Sequence, residues 1–146
     1  MIRNEQQKGV TKAQIATLTE ALEAAVQEKG EMDPRLYEAM VAGIRSQIDD
    51  LEQELEDYEA AKTATALSMD SWQDISRLLI QGRIARGLTQ KELARKLNLK
   101  TQQIQKYEAT DYAGASLRRV LEVFAALELD IEADVPLRGA GVPAGK

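Results

Sequence analysis

The chain contains no cysteine and no histidine. Without thiols there are no disulfides and no thiolate nucleophile, and without imidazole the zinc-finger ligand sets and the commonest acid-base catalyst are gone as well. Aromatic residues make up only 4% of the chain against 44% hydrophobic residues, a balance that suits helices packed on Leu, Ile and Ala. No apolar run approaches the roughly 18 residues that would span a bilayer, and the charged N-terminus lacks the apolar segment of a signal peptide. A cytoplasmic location without a membrane partner is therefore expected. No metal or cofactor site is expected either. An enzyme would need an activated nucleophile or paired carboxylates in a pocket, and the carboxylates here fall on what reads as an exposed helix, so an enzyme is rejected.

At 146 residues the chain has room for one or two small domains. Its net charge of -5 hides a division. Residues 1–70 hold 7 Lys+Arg against 15 Asp+Glu, whereas residues 71–146 hold 12 against 9. From Arg77 to Arg119 there are 10 basic residues and 3 acidic ones, a footprint suited to phosphate.

That basic region contains the most informative stretch, Leu88 to Tyr107. Thr89 followed three residues later by Glu92 is a capping box, so a helix begins there. Leu93, Ala94 and Leu97 share one face of it, and Asn98 follows where a residue tolerant of the left-handed conformation is wanted. Leu99 is an apolar plug. A second short helix opens at Thr101, with Ile104 and Tyr107 inward and Gln102, Gln103, Gln105 and Lys106 outward. Two helices crossing at a tight turn need a small residue at the contact, which is Ala94. The product is a helix-turn-helix whose second helix offers amides and a lysine to base edges in a major groove. A solvated face is the rival reading of the glutamines.

Gln90, Ala94, Leu97, Ile104, Tyr107 and Glu108, with Arg83, Gly87 and Leu88 upstream, resemble the phage repressor and Cro-like family, the XRE type of helix-turn-helix. The resemblance covers Ser71 to Leu127. It departs at Asn98, where the family usually has glycine, leaving the turn slightly strained. The resemblance implies that Gln90 and Lys91 touch phosphate, that Thr101, Gln102 and Lys106 reach bases, and that Arg83 and Glu108 form a structural pair between the domain's first and third helices. Either Lys100 or Thr101 caps the second helix. That one-residue ambiguity brings Lys100, Gln103 and Gln105 into the candidate set.

Upstream, residues 1–11 have no clear period and read either as a frayed arm or as a segment that pairs with something. Ile15, Leu18, Leu22 and Ala25 follow coiled-coil spacing over Thr11 to Lys29. Gly30 ends that helix, and Asp33 with Pro34 starts the next. Tyr37, Val41, Ile44, Ile48, Leu51, Leu55 and Tyr58 then form a strict heptad seam. The second helix, about 43 Å at roughly 1.5 Å per residue, outruns a first helix of about 28 Å. The overhang predicts that Ile48, Leu51, Leu55 and Tyr58 await a second chain or another protein. Between Asp49 and Glu59 lie seven carboxylates and no basic residue, which is either a solvated face or a docking site for a basic partner. Lys62 to Met69 reads as a linker.

Beyond the helix-turn-helix, Ser116 caps a last helix in which Leu117, Val120, Leu121, Phe124 and Leu127 face the core. From Leu127 to Val135 apolar and acidic residues alternate, which reads as a strand pairing through Leu129 and Ile131 with a second subunit, or else as helix continuation or disorder. The expected fold is all-α. Residues 1–66 form an antiparallel, coiled-coil-like helical hairpin for dimerisation or partner binding; residues 67–135 form a five-helix domain resembling lambda repressor, with the short C-terminal strand as one reading; residues 136–146 form a disordered tail.

The expected function is a homodimeric repressor bound to double-stranded operator DNA with an inverted repeat. The acidic extension resembles antitoxins of the HigA or HipB kind, which implies a basic toxin partner and control of the chain's own operon. A stand-alone or phage-derived repressor shares the same DNA-binding residues. A helical scaffold with a degenerate helix-turn-helix is the reading from another class.

Overall fold

The computed structural model describes residues 1–139, and these contain six α-helices and no strand. Helix α1 spans Glu5–Gln27 and α2 spans Pro34–Thr63. A 3-10 turn, Trp72–Asp74, leads into α3, Ile75–Ala85. Then come α4, Gln90–Lys96, α5, Thr101–Ala109, and α6, Leu117–Ala126. With the 3-10 turn, α3 to α6 supply the five helical segments of the C-terminal part. Of the expected tail, residues 136–139 are non-helical with a turn at 138–139, and residues 140–146 lie outside the described residues.

Helix α1 starts six residues earlier than its apolar spacing suggests. Asn4 accepts the Gln7 N–H at 2.8 Å, while the Gln7 side chain accepts the Arg3 N–H at 2.8 Å, a reciprocal cap built from polar residues alone. At the hairpin turn Gly30 takes φ +44°, and Asp33 accepts the N–H groups of Arg35 and Leu36 at 2.8 and 3.3 Å with Pro34 in the first helical position.

The early start removes most of the expected overhang. Ile2 is buried, and Tyr58, itself buried, donates its hydroxyl to Glu5 at 3.0 Å. Lys62 reaches the same carboxylate at 3.0 Å, and Lys8 pairs with Glu59. Tyr58 and the half-buried Leu55 belong to the chain's own core, and Ile48 is half-buried. The expectation that all four seam residues wait for another chain is thus corrected. Leu51, half-buried like Ile48 and Leu55, lines an open groove described below.

One core runs from the base of the hairpin through α3 to α6, joining Ile2, Tyr58 and Ala61 to Leu79, Ile80, Leu93, Ile104, Val123 and Leu127. The hairpin and the C-terminal helices therefore share a packed interior. Trp72, in the 3-10 turn, is 56% exposed. On α6 the core face is Val120, Val123, Phe124 and Leu127, while Leu117 and Leu121 are 71% and 57% exposed. The five apolar positions of that helix span more than one face.

Among the described residues, 127–135 form no strand, and the end of α6 gives a local reason for the apolar-acidic alternation at its start. Helix α6 stops with Glu128 at φ +53°, and the N–H groups of Glu128 and Leu129 return to Ala125 and Phe124 at 3.1 Å each. This Schellman stop folds Leu129 back onto the core beside Leu127. The apolar-acidic alternation across 127–129 is the signature of that stop rather than of pleat. Gly82 makes room for it, since a Cβ there would lie 2.8 Å from Leu129 Cδ1.

Candidate nucleic-acid interface

The two central helices are held by local chemistry that the sequence states openly. Thr89 accepts the Glu92 N–H at 3.1 Å, and Glu92 accepts the Thr89 N–H at 2.7 Å, completing the capping box of α4. These bonds, the backbone one first, hold the Glu92 carboxyl below the usual carboxylate range. At the far end Asn98 adopts φ +54°, and Asn98 and Leu99 donate to Arg95 and Ala94 at 3.1 and 2.8 Å. Ala94 is buried at the crossing and Leu99 packs against the core. The turn therefore uses asparagine in a conformation that glycine adopts more freely.

Lys100 is the N-cap of α5 and Thr101 its first residue. Gln103 accepts the Lys100 N–H at 3.0 Å. Ile104 is fully buried, Thr101 and Tyr107 are half-buried, and Gln102, Gln103, Gln105 and Lys106 are exposed. At 100° per residue, Gln102 and Lys106 stand one turn apart on the line farthest from Ile104, with Gln103 and Gln105 flanking them. Lys91 and Lys100 are exposed, and Gln90 is half-buried.

Behind this face lies a buried ion pair. Arg83 on α3 meets Glu108 on α5 through Nε at 2.5 Å and Nη2 at 2.8 Å. The guanidinium also donates to the Leu88 carbonyl at 2.8 Å and to the Arg3 carbonyl at 2.7 Å. The Gln90 side-chain amide donates to Glu108 at 2.8 Å. Four of the five guanidinium N–H groups are satisfied, and the Glu108 carboxylate accepts three bonds. A single side chain thus ties the start of α4, the second helix of the motif and the N-terminal segment together. Gln90, expected at phosphate, gives one of its two amide N–H groups to this buried pair.

The electrostatics of the outward face follow. Between Arg77 and Thr110 the carboxylates are Glu92 and Glu108. One is bound in a helix cap and the other is matched by Arg83. Glu108 is neutralised by Arg83, whereas Glu92 stays ionised in its cap beside Lys91; Lys91, Lys100 and Lys106 have no ion-pair partner among the described residues, so α5 presents a net positive outward face. Arg86, part of the same basic run, has another task. It donates to the Leu127 and Glu128 carbonyls at 2.8 and 2.6 Å, closing the end of α6. Tyr112 stacks on Tyr107 with ring centroids 5.6 Å apart, and burial pushes its phenol far above the ordinary tyrosine range.

The sequence reading did not identify three of these supports: Ile2, the Arg3 carbonyl and Arg86. The Asn4 to Gln7 spacing was the available signal for the first two. Arg86 gave none, because its partners are backbone carbonyls far away in sequence. Leu129 packs within the chain and Ile131 is 43% exposed, so the two residues expected at a strand interface have different surroundings.

Two short helices crossing at a tight turn, with a polar and cationic second helix displayed outward, define a helix-turn-helix. Residues 79–133 match the family model described as Helix-turn-helix, and this segment is a helix-turn-helix domain of the XRE type, the class of DNA-binding regulators. No curated protein and no solved structure matches the chain. No helix among the described residues is long and apolar enough to cross a membrane.

Proposed function

We propose that the chain is a dimeric, sequence-specific repressor whose α5 reads operator DNA, and that its acidic hairpin binds a cationic toxin, making it the antitoxin of a pair that controls its own operon. The observation that carries the DNA reading is the outward line of Gln102 and Lys106 on a helix whose carboxylate is buried and neutralised. An amide pairs bidentately with adenine and a lysine with guanine in the major groove, while Lys91 at the start of α4 suits a phosphate. Lys100 and Gln105 flank the reading line. Gln103 and Gln90 have one side-chain group each committed within the protein.

Dimerisation is supported by the α6 stripe of Leu117 and Leu121, which the chain leaves uncovered, together with Ile131 beyond the helix. A two-fold dimer sets two recognition helices about one DNA turn apart, so the operator is an inverted repeat. Duplexes selected from a random pool should carry that symmetry, and footprinting at saturation should protect both half-sites. Protection of a single half-site would contradict the dimer. One observation favours a repressor without a toxin: Ile2, Tyr58 and Ala61 give the hairpin base a buried core within the chain itself, so it folds without another protein. Co-expression with the neighbouring reading frame separates the two, because only an antitoxin co-purifies with that product and loses it when the hairpin acids are neutralised.

A further inference from the structure

Helices α1 and α2 leave a long groove along one flank of the hairpin. Its middle, about 680 Å³, is lined by Val10, Ala13, Thr17, Leu18 and Leu51, with Gln14 and Gln47 at the sides and Asp50 as the ionisable group. A second recess of about 370 Å³ continues past Val10 to Gln6 and Glu54. Along α2 the row that borders this flank is Leu36, Met40, Gly43, Gln47, Asp50 and Glu54, each one turn from the next, with Leu36 61% exposed. The groove is therefore open and largely apolar, with Val10, Ala13, Thr17 and Leu18 along α1, and edged by acid toward the DNA-binding domain.

Charge decides what fits it. Residues 1–66 carry 7 Lys+Arg and 14 Asp+Glu. Lys8 and Lys62 are matched with Glu59 and Glu5, whereas Asp49, Asp50, Glu52, Glu56 and Asp57 meet no cationic side chain among the described residues. A second hairpin would bring the same acid excess, its four cations outside ion pairs, Lys12, Lys29, Arg35 and Arg45, being outnumbered by its carboxylates. Two adjacent helices offer a third helix a ready seat.

We propose that this groove seats an amphipathic helix of another protein, with an apolar face on Val10, Thr17, Leu18 and Leu51 and Lys or Arg flanks toward Asp50, since Glu54 is already paired with the Met1 ammonium at 3.1 Å. The proposal rests on reading the hairpin as a partner-binding arm and names the surface and the kind of partner. It is tested with the full chain and three labelled peptides of about 18 residues, roughly 27 Å of helix: a Lys/Leu amphipathic helix, its Glu/Leu counterpart, and a scrambled Lys/Leu sequence with the same charge.

The Lys/Leu helix should bind about tenfold or more tightly than either control, weakening as salt rises from about 0.05 to 0.5 M. Amide shifts on binding should centre on residues 10–18 and 47–51. Thr17→Lys with Asp50→Lys should reduce binding about tenfold or more with helix content unchanged. Equal binding of the scrambled peptide, shifts centred elsewhere, or full binding by the double variant would overturn the proposal. So would sedimentation showing that the double variant turns a dimer into a monomer, because the groove would then hold a second copy. Titration of the same preparations with operator duplex keeps the DNA reading separate: intact DNA binding without peptide binding defeats the groove alone.

Discussion

Arg83 shows how one buried cation organises a surface it does not belong to. Its guanidinium spends its donors on Glu108, Leu88 and Arg3, so removing either member of the pair leaves an uncompensated charge in a dry site. Glu108→Ala should cost about 3 to 5 kcal/mol in urea denaturation, and a cost below about 1 kcal/mol would show that water reaches the pair. The residues of the pair were legible in the sequence through family resemblance. Their further partners were not, because a carbonyl such as that of Arg3 has no sequence signature. Gln90 adds a partner of the same kind: one N–H of its amide goes to Glu108, a contact 18 residues away that its position alone does not disclose.

Helix ends explain most of what the sequence disclosed and what it hid. Four helices of the C-terminal part stop on a left-handed residue followed by an apolar one: Gly87 and Leu88, Asn98 and Leu99, Asp111 and Tyr112, Glu128 and Leu129. Each apolar residue folds back on the core, as the Schellman motif requires. The first two stops were legible, because glycine and asparagine announce a left-handed turn. Glu128 does not, so Leu127 to Val135 resembled a strand. Left-handed backbone at a residue with a Cβ costs roughly 1 kcal/mol, so Glu128→Gly should stabilise the fold by about 0.5 to 1 kcal/mol and raise its melting temperature by a few degrees. A lower melting temperature would mean that the Glu128 side chain contributes more than its strain costs.

On the hairpin, the same principle of local partners sets the pH response. Lys62 and Tyr58 hold the Glu5 carboxyl below its ordinary range, and Lys8 does the same for Glu59. Folded-state values that lie below the unfolded ones give stability that is present above the unfolded value and lost as pH falls through the folded one. Acid titration should therefore loosen the contact between the α1 start and the α2 end below the ordinary carboxylate range, which amide exchange at residues 5–8 would report. Exchange there that ignores acid would dismiss these pairs as contributors. They are exposed, so the effect is local and sensitive to salt.

Across the whole molecule, the N-terminal segment joins two parts that the sequence presents as separate. Residues 1–11 looked aimless because their information is in capping and in a single apolar side chain, Ile2, rather than in a period. Ile2→Ala should cost about 2 to 4 kcal/mol, because it empties a site shared by α2 and α3, and should lower the melting of hairpin and domain together. Two separate transitions in calorimetry, with only the hairpin affected, would show that the shared core is not cooperative.

The central claim is that α5 reads base pairs through the line of Gln102 and Lys106. The direct measurement is the affinity of the native chain, Lys106→Ala and Lys91→Ala for a selected operator and for random duplex at one fixed salt concentration. Lys106→Ala should lose about 1 to 3 kcal/mol on the operator, roughly five- to 150-fold, and little on random DNA, whereas Lys91→Ala should weaken both alike. Equal losses on both duplexes for Lys106→Ala, or no operator preference in the native chain, would contradict the claim.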